Sequence, residues 1–434
     1  MVYWLGLDFG TSGARGAVLD HRGNLVAQAQ VRYGASPQGW VAQWQAALAT
    51  VMAAIPAAIR QETIALACNG TSGTVLLCDG KGQVLTEPLL YNDDRAQAVL
   101  PDLAAIAPAD TLVLSATSSL AKLWWWRQQL PPALWASARY LLHQADWLAY
   151  QFHGQLGRSD YHNALKLGYD VEGLTYPHWL RSRPEFPLLP TVVAPGTDLG
   201  NITPKAAQRY GLPPTCRVRA GTTDSIAAFL ASGAQQPGEA VTSLGSTLVL
   251  KLLSTVPVGD RASGVYSHRF GNLWLVGGAS NTGGAVLKRF FSETDLVRLS
   301  RDLRPDVPTG LDYYPLLHPG ERFPINDPHH PPRLAPRPPD AGEFLQGLLE
   351  GMARIEAQGY DRLAALGANP LTQVWTAGGG AHNEAWTAIR QRYLPVPVAA
   401  APETEAAIGT ARLAGGYFDP VLQPTTSPPK PSGD

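Results

Sequence analysis

The chain has 434 residues, 34 Lys and Arg against 35 Asp and Glu, a formal charge of −1, 45% apolar and only 16% charged residues. Near neutrality leaves no global field to recruit nucleic acid or an anionic membrane, and the length with its apolar content calls for two or three domains with sizeable cores. With 43 Gly and 37 Pro, tight turns dominate over a helical bundle.

Three cysteines, Cys68, Cys78 and Cys216, make neither a disulfide framework nor a Cys/His ligand spacing, and a reducing, cytoplasmic setting is expected. The start from Met1 to Asp8 has no basic leader, its apolar run being broken by Asp8, and no run of about 18 apolar residues exists to cross a bilayer.

In chain order, Val2 to Leu7, Gly13 to Leu19 and Leu25 to Val31 read as three antiparallel strands, with a turn from His21 to Asn24. Trp40 to Arg60 carries Trp44, Ala47, Leu48, Val51 and Ile55 at helical spacing, followed by a buried-type strand from Ile64 to Cys68. A strand from Val75 to Cys78 precedes the turn Asp79 to Gly82, and helical stretches are expected over Ser118 to Gln129 and Leu134 to Phe152. The pattern is mixed α/β.

The Pro-dense stretch from Pro184 to Pro214 reads as loop and leads to a second unit, with the domain boundary at Asp224 and a helix entered at Ser225. Residues 1–223 would form the first domain, 224–418 the second, and 419–434 a disordered tail rich in Pro, Ser and Thr. Val241 to Leu253 has strand alternation around Gly245, Ser246 and Thr247, with Leu273 to Val276 beside it. Because Gly10, Thr11 and Ser12 occupy the same early place in the first half, an internal duplication too diverged to count as a repeat is expected. Leu303 to Pro339 must be mostly loop.

Three stretches can carry chemistry. Asp8 ends a strand before Gly10, Thr11, Ser12, Gly13 and Arg15, a turn whose backbone N–H groups and hydroxyls can meet phosphate while the carboxylate holds hydrated Mg²⁺; ordinary turn formers would look the same. Asp224 follows Gly221, Thr222 and Thr223 before an apolar helix, either as its N-cap or as a general base taking the proton of an attacking alcohol. Gly378, Gly379 and Gly380 follow a strand and lead to Asn383 and Trp386, a bend that admits a flat ring against backbone or simply joins strand to helix. Neither GxxxxGK[ST] nor GxGxxG occurs. Trp124, Trp125 and Trp126 are expected to pack a helix, His329 and His330 lack a third ligand, and Arg15 and Lys122 are either solvated charges or phosphate contacts.

Taken in this order the motifs resemble the FGGY carbohydrate kinases of the actin-like ATPase superfamily. The match runs from about Trp4 to Gly416 and includes Leu89 to Arg95, Ala121 with Lys122, Ser159 to Asn163, Leu311 to Pro315, Gly320 to Arg322, and Glu405 to Gly409. The resemblance implies two ribonuclease-H-like α/β domains flanking a cleft, with sugar held by the first and ATP by the second. It makes Asp224 the catalytic base, sets Asp8 beside Mg²⁺ and the substrate, turns Thr11, Ser12, Arg15, Gly245, Ser246 and Thr247 toward the phosphates, and gives Gly379 and Asn383 to adenosine. Trp386 offers an aromatic face to adenine.

Substrate choice follows the departures from the family. Glycerol kinases carry an Arg-Glu pair where this chain has Thr71 and Ser72, which disfavours glycerol; many xylulokinases carry Met-His-Gly there. Tyr91 stands where the family often has Trp, and Ser72 can hydrogen-bond a sugar hydroxyl. D-ribulose is the first expectation and D-xylulose the second, in a monomer or homodimer. A catalytically silent sugar or nucleotide sensor on the same fold is the rival, whereas an actin-like or chaperone ATPase would need surfaces for which there is no additional domain.

Overall fold

The computed structural model describes residues 1–34, 39–109 and 111–416, so the tail expected from 419 lies outside the described residues. The chain opens with β1 (Tyr3–Phe9), β2 (Gly13–Asp20) and β3 (Leu25–Arg32), antiparallel neighbours as their alternation and turns require. The helix Gly39–Ala54 buries Trp44, Ala47, Leu48, Val51 and Met52. The expected single helix to Arg60 is two, because Pro56 cannot continue the first and precedes a short second, Ala57–Gln61.

Next come β4 (Thr63–Gly70) and β5 (Val75–Cys78). The stretch from Leu134 to Phe152 is not one helix: Pro132–Ser137 is helical, β6 (Tyr140–His143) pairs antiparallel with β5, and a second helix runs Gln144–His153. His143 and Asp146 form the capping box that starts that second helix. The short strands β7 (Arg158–Asp160) and β8 (Thr191–Val193) pair in parallel. The Pro-dense stretch is more than loop, since β9 (Asp198–Asn201) joins β10 (Arg217–Thr223) to complete a six-stranded sheet ordered β3-β2-β1-β4-β10-β9. β1, β4 and β10 run parallel.

After the helix Asp224–Ser232, β11 (Glu239–Leu244) and β12 (Leu248–Ser254) form a hairpin whose turn is Gly245, Ser246 and Thr247. β13 (Tyr266–Phe270), β14 (Leu273–Ser280), β15 (Gln373–Ala377) and β16 (Val398–Ala400) complete a second sheet, ordered β13-β14-β12-β11-β15-β16. The two sheets share one scheme. Each has a first-strand hairpin, a third strand antiparallel to its outer arm, and two parallel strands beyond its inner arm. Residues 303–339 hold isolated bridges such as Tyr314 with Arg333 and no helix or strand, as the prolines demand.

The helix Asp224–Ser232 packs on the last helix, Ala406–Ala414, which lies against β1, β2 and β4 of the first sheet. Glycines permit this: a Cβ on Gly409 would fall 1.8 Å from the Ala227 carbonyl oxygen, and one on Gly6 2.1 Å from that of Ala407. The junction of the two lobes is thus made of small residues, with Ala17, Ala231, Ala407 and Ala411 all buried there. All three cysteines are buried free thiols, and no described helix is long and apolar enough to cross a membrane.

Candidate active site

Asp8 lies near the end of β1, opposite Arg15 on β2 and beside Asn69 on β4, all in register. Its carboxyl is 2% exposed, and Oδ1 has no hydrogen-bond partner. Arg15 approaches Oδ2 at 3.6 Å and Glu405, at the start of the last helix, at 3.3 Å. Burial foremost, then the charge of Asp224, push the Asp8 carboxyl up to about 7, against the pull of Arg15.

β10 delivers Asp224 to the same place. Thr223, not Asp224, is the N-cap of the following helix, so the capping alternative fails; among the described residues Asp224 accepts only the adjacent Ser225 N–H, at 2.7 Å. The carboxyl is half-buried, and desolvation raises its pKa while the Ser225 N–H, Lys251 and Lys166 favour its ionised form. Lys251 comes from β12 in the second lobe, its Nζ donating to the Ser225 carbonyl at 2.7 Å. Lys166 comes from the first lobe, its Nζ lying 3.4 Å from the Ser72 carbonyl. Neither lysine was picked out in the sequence, where each is a single cation among leucines.

Ser72 is half-buried, whereas Thr71 is buried and hydrogen-bonded to Thr74 and Gln144, so only Ser72 is available to a ligand. Tyr91 is 38% exposed. The fully buried Lys122 ties their two loops together, donating to the Gly73 carbonyl at 2.8 Å and the Leu90 carbonyl at 2.6 Å. It is therefore neither a solvated charge nor a phosphate contact, because its donors are turned onto backbone. The expected tryptophan packing is present, with Trp124 and Trp126 buried in the helix Ser119–Gln129.

Thr11 and Ser12 are exposed at the first hairpin turn, which closes with the Gly10 N–H on the Gly13 carbonyl at 3.1 Å. The second turn is clamped from behind: the Gly284 and Ala285 N–H groups, opening the helix Gly284–Phe290, donate to the carbonyls of Gly245 and Ser246. Gly378, at φ +83°, lets the third bend pass close to Gly245. The second and third bends, but not the first turn, line a cavity of about 1090 Å³ that includes Gly245, Ser246, Gly379, Asn383 and Trp386. Asn383 caps the helix Glu384–Tyr393 by accepting the Trp386 N–H at 3.0 Å and donates to Ser300 at 2.9 Å.

Trp386 requires a correction. At 3% exposure it packs under Gly380, where a Cβ would fall 2.6 Å from its ring, so it is the floor beneath the glycine bend rather than an open wall. The opposite side of the cavity, with Leu296, Val297 and Leu349, comes from the helices Glu293–Asp302 and Ala341–Ala365, which sequence inspection did not connect to the site. The amphipathic spacing of Glu293–Asp302 was the available signal. Two remaining family stretches are supports. Asp160 caps a helix through His162 and Asn163, and Glu321 accepts from Ser280, Asn281 and Tyr314.

A carboxylate pair at the junction of two duplicated lobes, next to glycine bends and a nucleotide-sized cavity, defines a two-domain α/β phosphotransferase. The N-terminal domain of the FGGY family of carbohydrate kinases matches over residues 3–231 and its C-terminal domain over 240–416, so the chain belongs to that family. It is a sugar kinase that phosphorylates an alcohol. It is 25% identical to the xylulose kinase of Escherichia coli over 88% of this chain and 83% of that one. It is 24% identical to the L-fuculokinase of Salmonella typhi over 95% and 91%. A xylulose kinase structure from Brucella ovis superposes with a TM-score of 0.83 at 24% identity, covering 96% of this chain and 91% of that one.

Proposed function

We propose that this kinase transfers the γ-phosphoryl group of ATP to a terminal hydroxyl of a ketopentose, D-ribulose before D-xylulose, giving D-ribulose 5-phosphate. The observation that carries this is Asp224: a carboxylate at a helix start that caps nothing, coupled to Asp8 and neighboured by Ser72 through Lys166. Asp224 takes the proton of the terminal hydroxyl as that oxygen bonds to the γ-phosphorus and the bond to the β-phosphate oxygen breaks, leaving ADP. Ser72 and Tyr91 orient the sugar. Thr11, Ser12, Arg15, Gly245, Ser246 and Thr247 receive the phosphates, and Gly379 and Asn383 the adenosine.

The lone buried oxygen of Asp8 fits a hydrated Mg²⁺, since an unpaired carboxylate oxygen in a dry site is the donor a hard cation takes. When bound, the cation neutralises charge developing on the phosphates. We place the lobe boundary at Asp224, where the first sheet ends and the junction helix begins.

D-xylulose stands second because two of the relatives above carry that substrate's name, although Thr71 and Ser72 replace the Met-His of many such enzymes. Coupled ADP release with D-ribulose, D-xylulose, L-ribulose and glycerol decides between them. The highest kcat/KM is expected with D-ribulose; sugar binding with no turnover on any acceptor would reveal a sensor instead.

A further inference from the structure

Lys166 sits in a short turn, Leu165–Leu167, that follows the helix Tyr161–Ala164 and ends at Gly168 in the left-handed region, φ +90°. Its stem lies along the Ser72 turn: a Cβ built on Gly73, itself at φ +87°, would come within 3.5 Å of Lys166 Cδ and 3.8 Å of Nζ. The ammonium is half-buried and carries three N–H donors, yet its single hydrogen bond among the described residues is the long one to the Ser72 carbonyl.

The second nearby lysine differs. Lys251 reaches the backbone one residue past Asp224 with a short, well-formed bond, and Lys122 is held between two carbonyls. Lys166 has the longest contact of the three, is left with at least two donors unmatched among the described residues, and lies beside Ser72 while the charge of Asp224 acts on it. A half-buried cation with unfilled donors is completed by water or by a ligand oxygen that displaces it.

Resting on the kinase assignment above, we propose that Lys166 is a substrate-contacting residue of the acceptor site: with Ser72 it donates to sugar oxygens flanking the hydroxyl that Asp224 deprotonates. Its position then makes it a specificity determinant for polyhydroxylated acceptors, a role separate from the phosphate contacts of the hairpin turns. Nothing in the apolar neighbours Leu165 and Leu167 announces this, but the fold turns the lysine inward onto Ser72.

The test is steady-state kinetics of Lys166→Met and Lys166→Arg with the best acceptor of the ketose panel, and ADP binding as the check on folding. Lys166→Met is expected to raise KM for the ketose about 10- to 100-fold, to leave KM for ATP within about twofold and to lower kcat less than KM rises. Lys166→Arg keeps the charge and should recover part of the loss. A ketose KM unchanged by Lys166→Met, or an ATP KM that rises in parallel with it, overturns the assignment, and if the Met variant fails to bind ADP the same criteria apply to Lys166→Gln. Should the unaltered protein turn over no ketose at all, the kinase assignment and this one fall together, whereas an active enzyme indifferent to position 166 removes this one alone.

Discussion

The two hairpin turns are built on one scheme and do different work. In the first, β1 and β2 pair Asp8 with Arg15 two positions behind the turn; in the second, β11 and β12 put Ser243 opposite Val249 at the equivalent place. The first turn is tied to the end of β3 by the Tyr33 N–H on the Ser12 carbonyl and has the Asp8 and Arg15 charges behind it. The second is pinned to a helix start and has none. The two sheets repeat one bend, and on the proposed assignment the side chains behind each give catalytic charge to one hairpin and nucleotide seating to the other.

The carboxylates give the largest expected effects. Asp224→Ala should lower kcat by about 10³-fold or more while ADP affinity is retained, read by coupled ADP release and by titration calorimetry. Full activity would rule out Asp224 as the base.

Asp8→Asn should follow, with a loss of about 10²-fold and a weakened response to Mg²⁺. In the parent enzyme kcat/KM should fall as pH drops through about 7, because the required carboxylate becomes protonated. Stability runs the other way. The folded carboxyl titrates near 7 against about 3.9 when unfolded, so its ionisation opposes folding increasingly as pH rises between the two values. Asp8→Asn should therefore melt higher than the parent at pH 8, by a stabilisation on the order of a few kcal/mol, and nearly alike at pH 4. Equal melting curves at both pH values would show that Asp8 is not held in a dry site.

Giving the second turn the charge of the first, by Ser243→Asp, should raise KM for ATP about tenfold through repulsion of the triphosphate, with the ketose KM little changed. A variant with unaltered ATP kinetics would mean that this turn does not face phosphate. The smallest change expected is from Asn383→Ala, which removes the cap on the Trp386 N–H and the bond to Ser300: about 1 kcal/mol of stability in thermal melts and a few-fold rise in KM for ATP.

The opening strands, the hairpin turns and Asp224 were legible because period-2 alternation and glycine turns are local signals. So was the loop from Leu303 to Pro339, where proline density alone forbids regular structure. Local signals failed where pairing partners lie far away: Tyr140–His143 forms a strand only because β5 awaits it, and Asp198–Asn201 because β10 does. The same limit hid Lys166 and Lys251. A lone charge in an apolar run reads as surface, and only the packed lobes turn it onto Ser72 or Ser225. Trp386 is the converse case, since an aromatic beside a glycine bend suits a ligand face as well as a core, and packed beneath Gly380 it is nearly buried while still lining the cavity.

The last helix, lying on Gly6 and hydrogen-bonded through Thr410 to Asn69, covers a sheet begun some four hundred residues earlier. A ribosome must therefore release the chain through Ala411 before Ala17 and Leu19 lose contact with water, and until then the strands that carry them present an uncovered apolar surface. The helix Ala406–Ala414 is what seals the first sheet, so a product terminated before it would be a target for chaperones and proteases rather than a free-standing half enzyme.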